Sequence, residues 1–90
     1  MHNEVMYFIH KFKELNESAI EDVFLHGNCY WFAQILIQRF PKQSELYYME
    51  IDGHFITKIC DRFYDISGEV TDLQEVPTRW SVLKSVEPLR

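Results

Sequence analysis

The sequence predicts an α+β domain in which N-terminal helices pack on a small antiparallel β-sheet. Three observations predict the class. Apolar side chains recur at helical spacing from Val5 to Phe40, and Pro41 then stops the pattern. Past residue 44 the period changes to two, and Asp52-Gly53 and Cys60-Asp61 divide the strand-like runs into hairpins. Ninety residues, 47 % apolar and 26 % charged, suffice for one core and leave no room for a second. The chain is read as a single domain over 1–90.

The first helix is expected over 3–15, with Val5, Phe8, Ile9, Phe12 and Leu15 on one stripe and Lys11, Lys13 and Glu14 away from it. Ser18 and Glu21 have the spacing of a capping box and introduce a short helix over 19–25, which Gly27 stops. A further helix over 29–40 turns Phe32, Ala33, Leu36, Ile37 and Phe40 inward and Gln34, Gln38 and Arg39 outward. Strands are expected over 46–51, 54–59 and 62–68, joined as a meander, with Tyr47, Tyr48 and Tyr64 serving sheet packing. The tail, 69–90, reads as irregular with one short strand or helical turn, anchored by Trp80.

Composition narrows the function. The net charge is −5, from fourteen acidic and nine basic residues, and no block of Lys or Arg is present to neutralise phosphates. Direct nucleic-acid binding is therefore not expected. Two cysteines are too few for a disulfide framework. No basic segment precedes an apolar one at the N-terminus, and no apolar run is long enough for a membrane span. The expectation is a cytoplasmic protein with reduced thiols and no membrane association.

Chemistry concentrates in Gly27-Asn28-Cys29-Tyr30-Trp31-Phe32-Ala33. Cys29 falls in the first turn of a helix, where unpaired N–H groups and the positive end of the helix dipole favour a reactive thiolate. Downstream come His54, at the head of a strand, and Asp65, in the next strand. Cysteine, histidine and aspartate suit a nucleophile, its base and the orienter of that base.

Strand register decides whether the last two meet. With Cys60-Asp61 as a two-residue turn, Ile56 pairs with Asp65, and His54 lies diagonal to Asp65 on the same face. With Asp61-Arg62 as the turn, Asp65 pairs with Lys58 and stands about 13 Å from His54. A three-residue turn sends Asp65 to the opposite face. One register of the three builds the site.

Gly-Asn-Cys-Tyr-x-Phe-Ala, then Gly53-His54-Phe55, then Phe63-Tyr64-Asp65-Ile66-Ser67-Gly68 resembles the Cys/His/Asp pattern of papain-like and transglutaminase-like proteins. The likeness covers residues 27–68 and is closest to small bacterial and phage-borne members. It implies Cys29 as nucleophile, His54 as base, Asp65 as orienter, and the Cys29 N–H as part of an oxyanion hole. Papain-type enzymes supply a second oxyanion donor from a Gln before the Cys. No Gln precedes Cys29, so Asn28 or a backbone N–H takes that place. Substrate-binding lobes are also missing, and the group includes proteases, amidases, deamidases, acyltransferases and inactive relatives.

Each residue also has a plainer reading. Cys29 can fill space beside Trp31 and Phe32, and His54 can be an exposed residue at a strand start. Asp65 can pair with Lys58 or Arg62. Trp31 is either core or the wall of a substrate groove. His26, Cys29, His54 and Cys60 form a zinc-type donor set, but Cys60 sits about 20 Å along the strand from His54. No metal and no cofactor are called for.

The leading expectation is a cysteine-dependent hydrolase or acyl-transfer enzyme, of protease, amidase or deamidase type, whose partner is a protein or peptide amide. The alternative is a small acidic phage or bacterial accessory protein that binds and inhibits a host protein without catalysis.

Overall fold

Helical spacing becomes structure in α1 (His2–Leu15), where Val5 and Ile9, one turn apart, are fully buried. The computed structural model describes residues 1–15, 28–71, 73 and 75–86. The expected helix over 19–25, its Ser18–Glu21 capping pair, His26 and Gly27 lie outside the described residues. The second described helix, α2 (Cys29–Arg39), buries Phe32, Ala33 and Leu36. Phe40 closes it with an N–H donated to the Leu36 carbonyl at 2.9 Å, and Pro41 follows.

Five strands form one antiparallel sheet: β1 (Ser44–Met49), β2 (His54–Ile59), β3 (Arg62–Asp65), β4 (Gly68–Glu69) and β5 (Thr78–Arg79), in the order β4-β3-β2-β1-β5. Thr57, Ile59 and Tyr64 turn toward the helices. Val5, Ile9, Phe32, Leu36, Phe40, Ile59, Tyr64 and Ile66 make the core. Each such large side chain, fully buried, contributes roughly 1.5–3 kcal/mol. Tyr64 also pairs its hydroxyl with His2 Nδ1 at 2.7 Å, which ties the start of α1 to the sheet. A small α+β fold is therefore observed, with none of its described helices long and apolar enough to cross a membrane.

Strand limits differ from those expected. The first strand begins and ends two residues early, at Ser44 and Met49, and Ile51 is 84 % exposed in a turn. That turn covers 50–53, not Asp52-Gly53 alone, because Met49 pairs with His54. Gly53, at φ +64°, closes it with an N–H to the Met49 carbonyl. The 62–68 run is broken after Asp65: Ile66 and Ser67 turn, and Gly68 (φ +118°) starts β4. In the tail, β5 extends the sheet beside β1, and α3 (Trp80–Val86) follows it. Trp80 is the expected anchor, its ring 5.4 Å from that of Tyr48 and 4.9 Å from that of Phe55.

Candidate active site

Asn28 precedes α2, and its carbonyl accepts the N–H groups of Trp31 and Phe32 at 3.0 and 3.2 Å. Its side chain makes no capping bond, so that amide is not spent on the helix. Cys29 is the first residue of α2, where backbone N–H groups have no acceptor within the helix. Phe32, Ala33 and Leu36 seat the helix on the sheet, and the buried Thr57 hydroxyl fastens it by donating to the Ala33 carbonyl at 3.3 Å. This seating brings Cys29 to the head of β2, where the Phe55 N–H donates to Sγ at 3.5 Å. The sulfur thus lies against the residue that follows His54.

His54 opens β2 and Asp65 closes β3. Ile59 pairs with Arg62 and Thr57 with Tyr64, so Cys60-Asp61 is the two-residue turn. Of the three registers open to the sequence, this one sets Asp65 diagonal to His54 on one face. His54 Nε2 stands 3.0 Å from Asp65 Oδ2, and the two side chains are 13 % and 10 % exposed. The competing partners are engaged elsewhere: Arg62 pairs with Glu69 at 3.2 Å, and the Lys58 ammonium lies over the Tyr47 ring.

The other Asp65 oxygen, Oδ1, accepts the Ser67 N–H at 2.8 Å and the Ser67 hydroxyl at 2.5 Å. Burial by itself raises the pKa of Asp65. Hydrogen bonds from His54 and from the side chain and backbone of Ser67, with the charge of His54, outweigh it and hold the carboxyl below its ordinary value. An ionised carboxylate only accepts, so His54 Nε2 donates. In the neutral imidazole the lone pair is then on Nδ1, the nitrogen a base uses.

Two supporting residues were missed in the sequence. Ser67 had a local signal, the two-residue spacing by which an Asp side chain reaches a following backbone N–H. Glu75 had none. Its carboxylate accepts the Ile51 N–H at 3.1 and 3.0 Å and the Asp52 N–H at 3.1 Å, from 24 and 23 residues away. It fixes the turn from which His54 emerges.

Trp31 is not core: it is 61 % exposed, with its ring 5.4 Å from that of Tyr30. Cys60 is exposed at the end of β2 opposite His54, at φ +59°. Among the described residues no three metal-ligating side chains gather. A groove of about 350 Å³ is lined by Asn3, Glu4, Tyr7, Phe8, Lys11 and Arg39, and none of Cys29, His54 and Asp65 lines it.

The model of one protein family, described as Phage YunG-like protein, matches residues 8–88, a span that includes Cys29, His54 and Asp65. No curated protein and no solved structure matches the chain.

Proposed function

We propose that this chain, which belongs to the phage YunG-like protein family, is a cysteine-dependent hydrolase or acyl-transfer enzyme acting on an amide or thioester. The observation that carries the reading is the His54 Nε2 to Asp65 Oδ2 hydrogen bond, at 3.0 Å. It commits Nε2 to the carboxylate and puts the lone pair on Nδ1, in a residue next to the one whose N–H touches Cys29 Sγ. The likeness to papain-like and transglutaminase-like proteins supports the same roles, since a helix-start Cys followed by His and Asp on neighbouring strands is their pattern.

In the proposed reaction Cys29 Sγ attacks the carbonyl carbon, and its proton passes to His54 Nδ1. The Cys29 N–H and the Asn28 side-chain amide donate to the developing oxyanion. Collapse breaks the bond to the leaving amine or thiol, which takes the proton from His54. Water or an amine then attacks the thioester, its proton goes to His54, and Sγ leaves and takes that proton back as the thiol. Asp65 keeps the imidazole in the required tautomer throughout.

The experiment is incubation with an activated phenyl ester, followed by mass spectrometry of the intact protein. An acyl adduct on Cys29 that is absent from Cys29→Ala and slower to form in His54→Ala supports the reading. No adduct in the unmodified protein contradicts it.

A second reading has its own support in the net charge of −5 and the exposed Trp31, 61 % open to solvent. Here the protein occupies and inhibits a basic host protein without catalysis. A binder of this kind retains its partner after Cys29→Ala, whereas an enzyme loses all turnover.

A further inference from the structure

The first turn of α2 carries two large aromatic residues in the two positions after Cys29. Tyr30 and Trp31 are 36 % and 61 % exposed, with ring centroids 5.4 Å apart in an edge-on contact. A solvent-facing Trp in a helix that buries Phe32, Ala33 and Leu36 has no use in the core. Side chains on a helix lean toward its N-terminus, so both rings lean to the end where Cys29 sits.

The pair is not isolated. Tyr30 lies edge-on to Phe55 at 5.0 Å, and Phe55 contacts Tyr48 at 4.6 Å and Trp80 at 4.9 Å. Phe55 is also the residue whose N–H donates to Cys29 Sγ. An aromatic wall therefore runs from the backbone that touches the sulfur out to solvent at Trp31, with Tyr48 and Trp80 bracing Phe55 from behind. Among the described residues this chain of ring contacts runs through Trp31, Tyr30, Phe55, Tyr48 and Trp80 alone. Its occupant is set by its position, because a carbonyl carbon delivered to Sγ brings its neighbouring group against this wall.

We propose that the Tyr30–Trp31 edge is a specificity subsite, and that it selects acyl donors carrying a large apolar group, preferably aromatic, next to the reacting carbonyl. The proposal rests on the reading of Cys29 as the nucleophile. Edge-on and stacked aromatic contacts supply the selectivity.

The test compares two electrophiles on the full chain carrying Cys60→Ser. They are chloroacetamide and N-benzylchloroacetamide, which undergo the same displacement of chloride by Sγ and differ in the benzyl group on the amide nitrogen. The expected result is faster labelling by the benzyl reagent, by about two- to tenfold, the factor one aromatic pair supplies. Trp31→Ala removes that preference. Equal rates for both reagents, or a preference that survives both Trp31→Ala and Tyr30→Ala, overturn the subsite while the nucleophile stands. Failure of both reagents on folded protein overturns the nucleophile itself. Thermal unfolding of each variant distinguishes lost preference from lost fold.

Discussion

His54 and Asp65 meet at opposite ends of their own strands, Nε2 to Oδ2 at 3.0 Å, because the turn between β2 and β3 has two residues. The pairing commits one ring nitrogen, Nε2, to the carboxylate. Asp65→Asn keeps the shape of the side chain but removes its charge, and the amide no longer fixes the imidazole tautomer. Acylation of Cys29 is expected to fall by about 10²–10⁴-fold, the usual contribution of a positioned base. Stopped-flow measurement of adduct formation checks this.

Acid stability follows from the same carboxylate. Asp65 has a lowered pKa in the folded protein, so on acidification the unfolded chain takes up the proton first. The stabilisation is complete above the ordinary Asp value, about 3.9, and is lost as the pH falls through the folded value. The Tm of the unmodified protein should therefore drop below about pH 4 more steeply than that of Asp65→Asn, as read by circular dichroism melts from neutral to strongly acidic pH.

Ser67 contributes through its hydroxyl, which donates to Asp65 Oδ1 alongside its own N–H. Ser67→Ala removes one of these bonds and should cost about 1–2 kcal/mol in a urea titration. Gly68→Ala should cost more than a surface alanine usually does. Its φ of +118° is strained for any side chain, and the added methyl would lie 3.1 Å from Met6 Cε.

Glu75 acts at a distance from the chemistry. Without its carboxylate, the Ile51 and Asp52 N–H groups lose their acceptor. Glu75→Ala should speed hydrogen exchange at those two amides by about tenfold, the equivalent of one charge-assisted bond. Exchange at Ile59, in the other half of β2, should not change.

The parts of the fold legible in the sequence were those with local causes. Helical periodicity placed α1 and α2 to within a residue of their observed ends, and β2 fell on His54–Ile59 as expected. What local pattern missed was decided by contacts distant in sequence. Ile51 has the apolar character of a strand residue, yet Glu75 holds it in a turn. The run through Ile66 reads as one strand, but the Asp65 carboxylate folds Ser67 back and ends it. Residues 78 and 79 become a strand only because Tyr47 and Tyr48 offer an open edge. For the site, spacing reduced His54 and Asp65 to one register in three, and the Cys60-Asp61 turn settled which. Trp31, read first as core and second as the wall of a groove, is exposed.

The most direct measurement is the pH dependence of Cys29 alkylation by iodoacetamide, in Cys60→Ser protein with and without His54→Ala. The account predicts rapid labelling already at about pH 6–7, slowed by His54→Ala at every pH in that range. Identical profiles in the two proteins, both rising only near the free-thiol value of about 8.5, would contradict it.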